Sequence, residues 1–251
     1  MQQRFENKTA LITGGTNGMG LAAAQKCIEE GGKAIITGRS QETVDNALEK
    51  LGEKAFGIVS NAGNIKDLMA LREGVRKYTE HIDLVFANAG YGRFAPVESV
   101  DKDQFDELFN MLVKGPFFTV QQLLPLMKRG SSVIFNTSVA TDIAMPNFSV
   151  YSAAKSAVQS FIKTFAVELT ERGIRVNGVS PGHIKTNIFN NTGLTGEQIE
   201  SAIDEIIPTI PFKRQGEPSE IANVVLFLAS EEASYIHGAE IKVDAGISVI
   251  R

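Results

Sequence analysis

The 251-residue sequence predicts an α/β fold, a single doubly wound domain built on a parallel sheet with helices on both faces. Two observations carry this prediction. Short apolar runs alternate with helical runs along the whole chain, and a glycine-rich turn follows the first apolar run. Strict β–α alternation with near-continuously apolar strands is typical of a parallel sheet whose strands are joined by right-handed crossovers.

The strands and helices follow from the hydrophobic periodicity of the chain. The predicted strands are Thr9–Thr13, Ala34–Thr37, Ala55–Val59, Leu84–Ala87, Ser132–Asn136, Arg175–Ser180 and Glu240–Val243. The predicted helices are Leu21–Glu30, Gln41–Leu51, Ile65–Tyr78, Lys102–Met127, Tyr151–Glu171 and Pro218–Ala229. No linker, repeat or low-complexity tract interrupts them, so we predict one domain over residues 1–251. The irregular stretch 187–214 surrounds an acidic helical piece, Glu197–Ile207, and is typical of a substrate lid.

The composition limits the classes of partner. The formal net charge is −4 and no block of basic residues occurs, which argues against nucleic acid and anionic membrane surfaces. The single cysteine, Cys27, lies in an apolar helical run, and one cysteine excludes an intrachain disulfide and a cysteine-based zinc site. The first residues lack a hydrophobic signal core, and no apolar stretch reaches the ~18 residues of a membrane span. We therefore expect a cytoplasmic protein.

The first turn is predicted to bind the pyrophosphate of a dinucleotide. It reads Thr13-Gly-Gly-Thr-Asn-Gly-Met-Gly20, between the first strand and the first helix. Glycines permit a tight turn and close backbone approach, and a helix N-terminus offers free N–H groups to an anion. The turn lacks the Gly-Lys-Ser/Thr ending of a phosphate-hydrolysing loop. The candidate cofactor-binding residues here are Gly14, Thr16, Asn17, Gly18, Met19 and Gly20.

The end of the second strand indicates which dinucleotide binds. An NAD site places Asp or Glu about twenty residues beyond the glycine turn, where it accepts a hydrogen bond from the ribose 2′-OH. This chain has Gly38-Arg39-Ser40 instead. Because a planar, permanently charged guanidinium suits a 2′-phosphate, NADP(H) is predicted ahead of NAD(H), with Arg39 and Ser40 as candidate contacts. The alternative interpretation is a solvated loop arginine.

Tyr151 and Lys155 form the candidate catalytic pair. They open an amphipathic run that continues to Leu169, and residues four apart share one face of a helix. A buried ammonium beside a phenol lowers its pKa, which makes the phenol a usable general acid or base. Ser138 offers a hydroxyl that could hydrogen-bond a carbonyl oxygen while Tyr151 protonates it. Alone, this spacing is typical of a surface pair, so the hypothesis depends on the rest of the chain.

These motifs occur together in an order that resembles one family. They are Thr13-Gly-x3-Gly-x-Gly20, Ala87-Asn88-Ala89-Gly90, Ser138 upstream of Tyr151-x3-Lys155, and Pro181-Gly182. In this combination the chain resembles, over nearly its whole length, the short-chain dehydrogenase/reductase family. The resemblance implies a single Rossmann-type domain with a seven-stranded parallel sheet and a nicotinamide cofactor. It also implies reversible hydride transfer between a secondary alcohol and a ketone.

The resemblance further implies roles for individual residues. Tyr151 is the proton donor or acceptor, Lys155 lowers its pKa and binds the nicotinamide ribose, and Ser138 orients the carbonyl. Arg39 meets the adenosine 2′-phosphate, and Asn61 stands where the family usually has an Asp that contacts adenine. The other implied cofactor contacts are Gly14, Gly18 and Gly20 at the pyrophosphate, Asn88 and Gly90 after the fourth strand, and Pro181, Gly182, Ile184 and Thr186 after the sixth.

One segment departs from the family pattern. The family commonly has Asn in an Asn-x-Lys-Gly segment, where it helps to hold a water that links the lysine to solvent; here the segment reads Leu112-Val-Lys-Gly115. Asn110 lies two positions earlier, about 200° around a helix, and is predicted to point away. Either a backbone carbonyl near Leu112 holds the water alone, or the protein keeps its cofactor with little turnover.

The predicted function is hydride transfer between NADP(H) and a ketone or secondary alcohol, with Tyr151 as general acid/base. A mostly apolar substrate pocket is predicted at the carboxyl edge of the sheet. Its candidate residues are Tyr91, Phe94, Ile143, Met145, Phe148, Ile188 and Phe189, with Asp142 as the mark of a polar substrate group instead. One alternative is a 3-oxoacyl reductase for carrier-bound or coenzyme-A-bound chains. Another is a low-activity dinucleotide-binding sensor.

Three further predictions concern partners. A carrier substrate would need a basic patch beside the pocket, for which the candidates are Arg129, Arg172 and Arg175. No metal site is predicted, because His183 and His237 have no further ligand at metal spacing. The long amphipathic helices around 105–127 and 151–169 predict a homo-oligomer, either a dimer or a tetramer.

Overall fold

A parallel β-sheet forms the centre of the computed structural model, which describes residues 3–186 and 195–250. Its strands are β1 (Thr9–Ile12), β2 (Lys33–Gly38), β3 (Ala55–Val59), β4 (Ile82–Ala87), β5 (Met127–Asn136), β6 (Arg175–Pro181) and β7 (Glu240–Val243). They lie in the order β3-β2-β1-β4-β5-β6-β7, and every pairing is parallel. The predicted fold class is confirmed.

Helices cover both faces of this sheet. They are α1 (Gly18–Glu29), α2 (Gln41–Leu51), α3 (Ile65–Arg76), α4 (Lys102–Phe109), α5 (Gly115–Leu123), α6 (Ser149–Leu169), α7 (Gly196–Ile206) and α8 (Pro218–Ala229). Helices α1, α2 and α8 pack on one face, whereas α3, α5 and α6 pack on the other. No helix within the described ranges is both long and apolar enough to span a membrane.

Alternation along the strands divides the core into two layers. In β1, Ala10 and Ile12 pack against α1 and α8, whereas Leu11 packs against the opposite layer. Successive side chains of a strand point to opposite faces, so a strand covered on both sides must be apolar at every position. Cys27 is buried in the first layer as the predicted small core residue, and burial raises its pKa to about 12.

The long helix predicted over Lys102–Met127 is wrong. The structure has α4, then a single π-helical turn at Asn110–Lys114, then α5, and β5 already begins at Met127. Pro116 cannot donate a backbone N–H, which favours a restart of the helix at this point. A Cβ at Gly115 would lie 2.7 Å from the carbonyl oxygen of Ala62, so the turn after β3 presses closely on the break.

The predicted lid segment is described only in part, since residues 187–194 lie outside the described residues. Helix α7 agrees with the predicted acidic piece, shifted by one residue. Beyond it, Ile210 is buried and forms a small apolar cluster with Val139 and Ile247. This cluster fixes the chain after α7 beside the loop that follows β5.

Candidate active site

Loops from four neighbouring strands meet at the carboxyl edge of the sheet. β1 lies between β2 and β4, so the connections from β1 and β4 leave in opposite directions and open a crevice. Such a switch point is where doubly wound sheets bind ligands. The glycine turn follows β1, and the segments that carry Asn88, Ser138 and Pro181 follow or end β4, β5 and β6.

The glycine turn is shaped by close backbone contacts. Gly14 has φ +64°, which favours glycine, and a Cβ there would lie 2.9 Å from the Cα of Ala89. A Cβ at Gly20 would collide with the Gly14 carbonyl oxygen, so the start of α1 packs directly on the turn. A Cβ at Gly18 would lie 3.3 Å from Cγ2 of Thr186, which places the segment after β6 against this turn. Side chains at Gly14 and Gly20 would collide with the neighbouring backbone, so glycine keeps the turn compact at these positions.

Other residues of the turn have distinct environments. Asn17 precedes α1 without a side-chain capping bond, and the first turn of α1 carries no acidic residue. The amide groups of this helix start are therefore available to an anion. Thr16 lies over β2, because a Cβ at Gly38 would come within 2.5 Å of its Cγ2. Met19 packs against the core, so its side chain has a structural role.

Asn88 ties the end of β4 to the glycine turn. Its Nδ2 donates to the carbonyl oxygen of Thr13 at 3.0 Å and to that of Gly14 at 3.3 Å. The Thr13 hydroxyl accepts in return from the backbone N–H groups of Asn88 and Ala89, each at 3.0 Å. These hydrogen bonds to Thr13 and Gly14 indicate that Asn88 stabilises the conformation of the glycine turn.

Asn136, the last residue of β5, connects this scaffold to the candidate catalytic lysine. Its Nδ2 donates to Oδ1 of Asn88 at 2.9 Å, and its backbone carbonyl accepts from Nζ of Lys155 at 2.7 Å. Its own Oδ1 is buried without a hydrogen-bond partner among the described residues. Asn136 was not predicted as a site residue; the available signal was an amide at the carboxyl end of a strand whose last residues are apolar.

The structure brings Ser138, Tyr151 and Lys155 together. Tyr151 and Lys155 are 8% and 5% exposed, one turn apart on α6, and Nζ of Lys155 lies 5.8 Å from the centre of the Tyr151 ring. The Ser138 hydroxyl lies near the Tyr151 phenol and lowers the pKa of that phenol. The predicted surface-pair alternative is therefore wrong, because both side chains are buried at the crevice.

The electrostatics differ from the prediction that Lys155 lowers the pKa of Tyr151. In the structure the pKa of Tyr151 is raised, because burial of the phenol outweighs the Ser138 hydrogen bond that lowers it. Burial also lowers the pKa of Lys155 to about 8. The Lys155 ammonium donates to the Asn136 carbonyl, and the Ser138 hydroxyl is the group that lowers the pKa of the phenol in this structure.

Arg39 and Asn61 line a polar cavity of about 320 Å³ between the ends of β2 and β3 and helix α4. The Arg39 guanidinium carbon lies 5.7 Å from the centre of the Tyr91 ring. Asn61 Oδ1 accepts from the Gly63 N–H at 3.0 Å, so this side chain shapes the turn after β3. Ser40 caps α2, with its Oγ accepting from the Thr43 N–H at 3.3 Å.

The segment after β6 forms the opposite wall of the crevice. A Cβ at Gly182 would lie 2.7 Å from the Cα of Asp244, so the Pro181-Gly182 turn fits closely under the end of β7. Ile184 is buried and forms a parallel bridge with Gly216. The Thr186 hydroxyl donates to the Ile184 carbonyl at 3.4 Å.

Leu112 occupies the position where the family pattern has Asn. It is 2% exposed, within the π-helical turn, and a Cβ at Gly90 would lie 2.7 Å from its Cδ2. Asn110 accepts a hydrogen bond from Nζ of Lys114 and lines the polar cavity. The prediction that Asn110 points away from Leu112 is confirmed by these different neighbours.

Aromatic side chains stand beside Tyr151. Phe94 and Phe148 stack with ring centres 4.0 Å apart, and their rings lie 5.6 and 5.9 Å from that of Tyr151. Met145 and Tyr91 pack in the same cluster, whereas Ile143 packs with Val139 and Ile210 instead. Ile188 and Phe189 lie outside the described residues. Phe94 and Phe148 therefore adjoin the phenol, and Met145 and Tyr91 belong to the same apolar cluster.

Other candidates have structural roles. Arg129 and Arg175 lie near the amino ends of β5 and β6, opposite the crevice, and bind the backbone carbonyls of Glu171 and of Leu228 and Ser230. Arg172 binds the Leu124 carbonyl. The prediction that these arginines flank the pocket is wrong.

Asp142 and the histidines have local partners. Asp142 pairs with Lys242 at 3.3 Å, which gives its carboxylate an ion-pair partner within the protein. His237 accepts at Nδ1 from the Val176 N–H at 3.0 Å. Over residues 3–186 and 195–250, no group of three His, Cys, Asp or Glu side chains is placed to hold a metal ion.

Fold and site together define an oxidoreductase of the Rossmann type, with a glycine turn at the switch point and a buried Ser–Tyr–Lys cluster beside it. The family model described as enoyl-(acyl carrier protein) reductase matches residues 14–248. The chain belongs to the short-chain dehydrogenase/reductase family.

Relatives of known name support this assignment along the whole chain. Oxidoreductase asL5 of Sarocladium schorii is 38% identical over 250 residues, covering 99% of this chain and 98% of the relative. The 3alpha-hydroxysteroid dehydrogenase of Mediterraneibacter gnavus is 36% identical, with 97% and 98% covered. Among solved structures, a short-chain dehydrogenase from Burkholderia cenocepacia in complex with NADP has a TM-score of 0.87 at 25% identity, with 98% and 100% covered.

Proposed function

We propose that this protein is an NADP(H)-dependent reductase/dehydrogenase that transfers a hydride between the cofactor and a ketone or secondary alcohol. The observation that carries the proposal is the buried Tyr151–Lys155 pair with Ser138 beside it, placed at the same edge of the sheet as the glycine turn. A phenol, a hydroxyl and an ammonium in this arrangement serve proton transfer to or from an oxygen. The hydroxysteroid dehydrogenase relative acts, by its name, on a related class of group.

The crevice fits a nicotinamide dinucleotide. Gly14, Gly18 and Gly20 let the turn pack closely on Ala89, Thr186 and its own backbone, and the uncapped amides at the start of α1 can receive a pyrophosphate. The other residues proposed to hold the cofactor are Thr16, Asn17, Arg39, Ser40, Asn61, Asn88, Gly90, Tyr151, Lys155, Pro181, Gly182, Ile184 and Thr186. The dinucleotide, when bound, supplies or accepts the hydride. NADP in a solved relative supports this class of cofactor.

Ser138, Tyr151 and Lys155 are the residues proposed to carry out proton transfer to or from the substrate oxygen. The Ser138 hydroxyl orients the substrate oxygen and hydrogen-bonds the Tyr151 phenol, so the proton leaves or reaches the substrate through the phenol oxygen. Because burial raises the pKa of Tyr151, the phenol is protonated at neutral pH and ready to act as an acid in the reductive direction. Lys155 orients the cofactor ribose and stabilises negative charge that develops on the phenol.

Activity tests distinguish this function from its alternatives. Purified protein is incubated with NADPH and a panel of ketones that includes 3-oxoacyl thioesters on coenzyme A and on a carrier protein. Oxidation of NADPH with free ketones supports the proposal, and oxidation with the thioesters alone identifies a 3-oxoacyl reductase. Cofactor binding without oxidation across the whole panel identifies the sensor. The arginines proposed for a carrier dock lie away from the crevice, which favours a free ketone.

The charge at Arg39 decides the cofactor preference. We expect Arg39→Asp to weaken NADP⁺ binding by about 30- to 100-fold, because a charge-assisted contact to the 2′-phosphate is lost and a repulsive carboxylate replaces it. NAD⁺ affinity should change little or improve, since a carboxylate can accept from the ribose 2′-OH. Calorimetric titration with both dinucleotides measures this. An undiminished preference for NADP⁺ in the variant would show that Arg39 is not the discriminator.

Leu112→Asn tests whether proton exchange with solvent limits turnover. If the missing amide is limiting, kcat should rise severalfold while the protein loses about 1–3 kcal/mol of stability, because an amide replaces an apolar side chain that is 2% exposed. Leu112→Ala serves as the control that opens the packing against Gly90 without adding a polar group. Equal kcat values in both variants and the parent would show that proton exchange with solvent near residue 112 does not limit turnover.

A homo-oligomer is also proposed, either a dimer or a tetramer. Phe105 is 44% exposed on α4 and stacks on Phe109, and a groove lined by Phe109, Phe117 and Phe161 runs between α4, α5 and α6. An apolar surface of this kind suits self-association about a two-fold axis.

A further inference from the structure

The polar cavity beside Arg39 presents an electrostatic problem for a phosphate. Its lining includes three carboxylates, those of Asp103, Asp106 and Glu107, which extend from α4. Of the cavity-lining residues in the described part of the chain, Arg39 alone is basic. A phosphate in this cavity is attracted only if the Arg39 guanidinium stays over it, because the remaining charged groups repel it. The position of one flexible side chain therefore decides the sign of the local potential.

The Tyr91 ring lies where it can restrain that side chain. It comes from the loop after β4, on the other side of the cavity from β2, and its centre is 5.7 Å from the Arg39 guanidinium carbon. A guanidinium within about 6 Å of an aromatic ring centre is attracted by the ring quadrupole. The contact joins the loop after β2 to the loop after β4 beside the cavity.

The ring itself is fixed by α4. The Tyr91 hydroxyl donates to Oε1 of Glu107, whose other oxygen accepts from Nη1 of Arg93 at 3.1 Å. Burial and the Glu107 contact raise the pKa of Tyr91, so the phenol stays protonated and keeps donating to the carboxylate. The two contacts to Glu107 also offset part of its negative charge. Lys102 likewise offsets part of the negative charge of Asp106, since its Nζ lies 2.8 Å from Oδ2 of that residue.

We propose that Tyr91 is a positioning residue for cofactor specificity: its ring holds the Arg39 guanidinium over the polar cavity, where that guanidinium receives the adenosine 2′-phosphate. The inference rests on the proposed NADP(H) function and adds to it a residue outside the glycine turn and the end of β2. Tyr91 acts through Arg39, and its aromatic ring, more than its hydroxyl, is the part that matters.

Binding of two adenosine nucleotides tests this role without any turnover. Adenosine 2′,5′-bisphosphate carries the additional 2′-phosphate, and adenosine 5′-monophosphate lacks it. We expect Tyr91→Leu to weaken the bisphosphate by about threefold to tenfold, the range of one cation–π contact, and to leave the monophosphate nearly unchanged. Tyr91→Phe keeps the ring but loses its hydrogen bond to Glu107, so it should lose less bisphosphate affinity than Tyr91→Leu and leave monophosphate affinity nearly unchanged. Isothermal titration calorimetry measures all six affinities, two for the parent and two for each variant.

A double-mutant cycle separates a role through Arg39 from direct contact. In an Arg39→Ala background, Tyr91→Leu should change the bisphosphate affinity by less than about twofold, because the side chain that it positions is gone. Parallel loss of both nucleotides in Tyr91→Leu would overturn the proposal, as would equal losses in Tyr91→Phe and Tyr91→Leu. Tighter bisphosphate binding in Tyr91→Leu would also overturn it, because it would mean that the ring sequesters Arg39.

The same titrations keep two failures apart. If Arg39→Ala itself leaves the preference for the bisphosphate intact, the proposed NADP(H) specificity fails. If Arg39→Ala removes that preference but Tyr91→Leu does not, only the positioning role of Tyr91 fails. The monophosphate affinity reports in each variant whether the nucleotide site is still folded.

Discussion

Tyr151→Phe is expected to lower kcat for ketone reduction by about 10²- to 10⁴-fold, the usual contribution of a positioned general acid. The reason is local. The phenol is 8% exposed and packed beside Phe94 and Phe148, so no solvent group can take its place at the substrate oxygen. Phenylalanine keeps the ring and its edge contacts. Stopped-flow oxidation of NADPH under single-turnover conditions measures the chemical step directly.

Binding and a matched tyrosine provide the controls for this experiment. NADPH affinity should stay close to that of the parent, because the variant removes one hydroxyl from a packed ring. Tyr78→Phe removes a hydroxyl that donates to the Gly57 carbonyl at 3.3 Å, on the outer edge of the sheet, and should leave kcat unchanged. A Tyr151→Phe variant that reduces ketones as fast as the parent would exclude the phenol as the proton donor.

Local features of the sequence were sufficient to predict the sheet and the glycine turn. Most strands are short and apolar and are bounded by turn residues, so periodicity locates them, whereas the polar start of β5 at residues 127–131 was not predicted. The break between α4 and α5 escaped prediction because its cause is tertiary. Gly115 must pass close to the Ala62 carbonyl, a contact with a turn more than fifty residues earlier in the chain. Pro116 was the available local signal.

Most residues of the candidate site could be predicted from the sequence, but the direction of the pKa shift of Tyr151 could not. Spacing places Tyr151 and Lys155 on one helix face, yet it does not show how deeply the phenol is buried, and burial decides the direction of its pKa shift. The role of Asn136 depends on a backbone carbonyl that no side-chain pattern reveals. Likewise, Arg129 and Arg175 seemed suited to a carrier dock until the strand directions placed them at the opposite edge.

Lys155→Met is expected to lower kcat by about 10²-fold or more, as is typical for removal of one preorganised charge from an active site. The same substitution should not lower the free energy of unfolding. Burial lowers the pKa of Lys155 to about 8 from 10.5, so the folded protein holds the ammonium less favourably than water does, even with the Asn136 carbonyl at 2.7 Å. At neutral pH the methionine variant should therefore be at least as stable as the parent.

The difference in stability between the parent and Lys155→Met should depend on pH. Below pH 8 the lysine is protonated in both states, and the full cost of burying the charge is present. Between about 8 and 10.5 the unfolded chain binds more protons than the folded chain, so the parent gains stability relative to the variant as the pH rises. Urea denaturation of both proteins along a pH series measures the difference. Lys163→Met, on the exposed side of the same helix, should show no such trend. The prediction is wrong if Lys155→Met unfolds at a lower urea concentration than the parent at neutral pH and the difference in stability does not change with pH. The buried ammonium would then stabilise the folded protein.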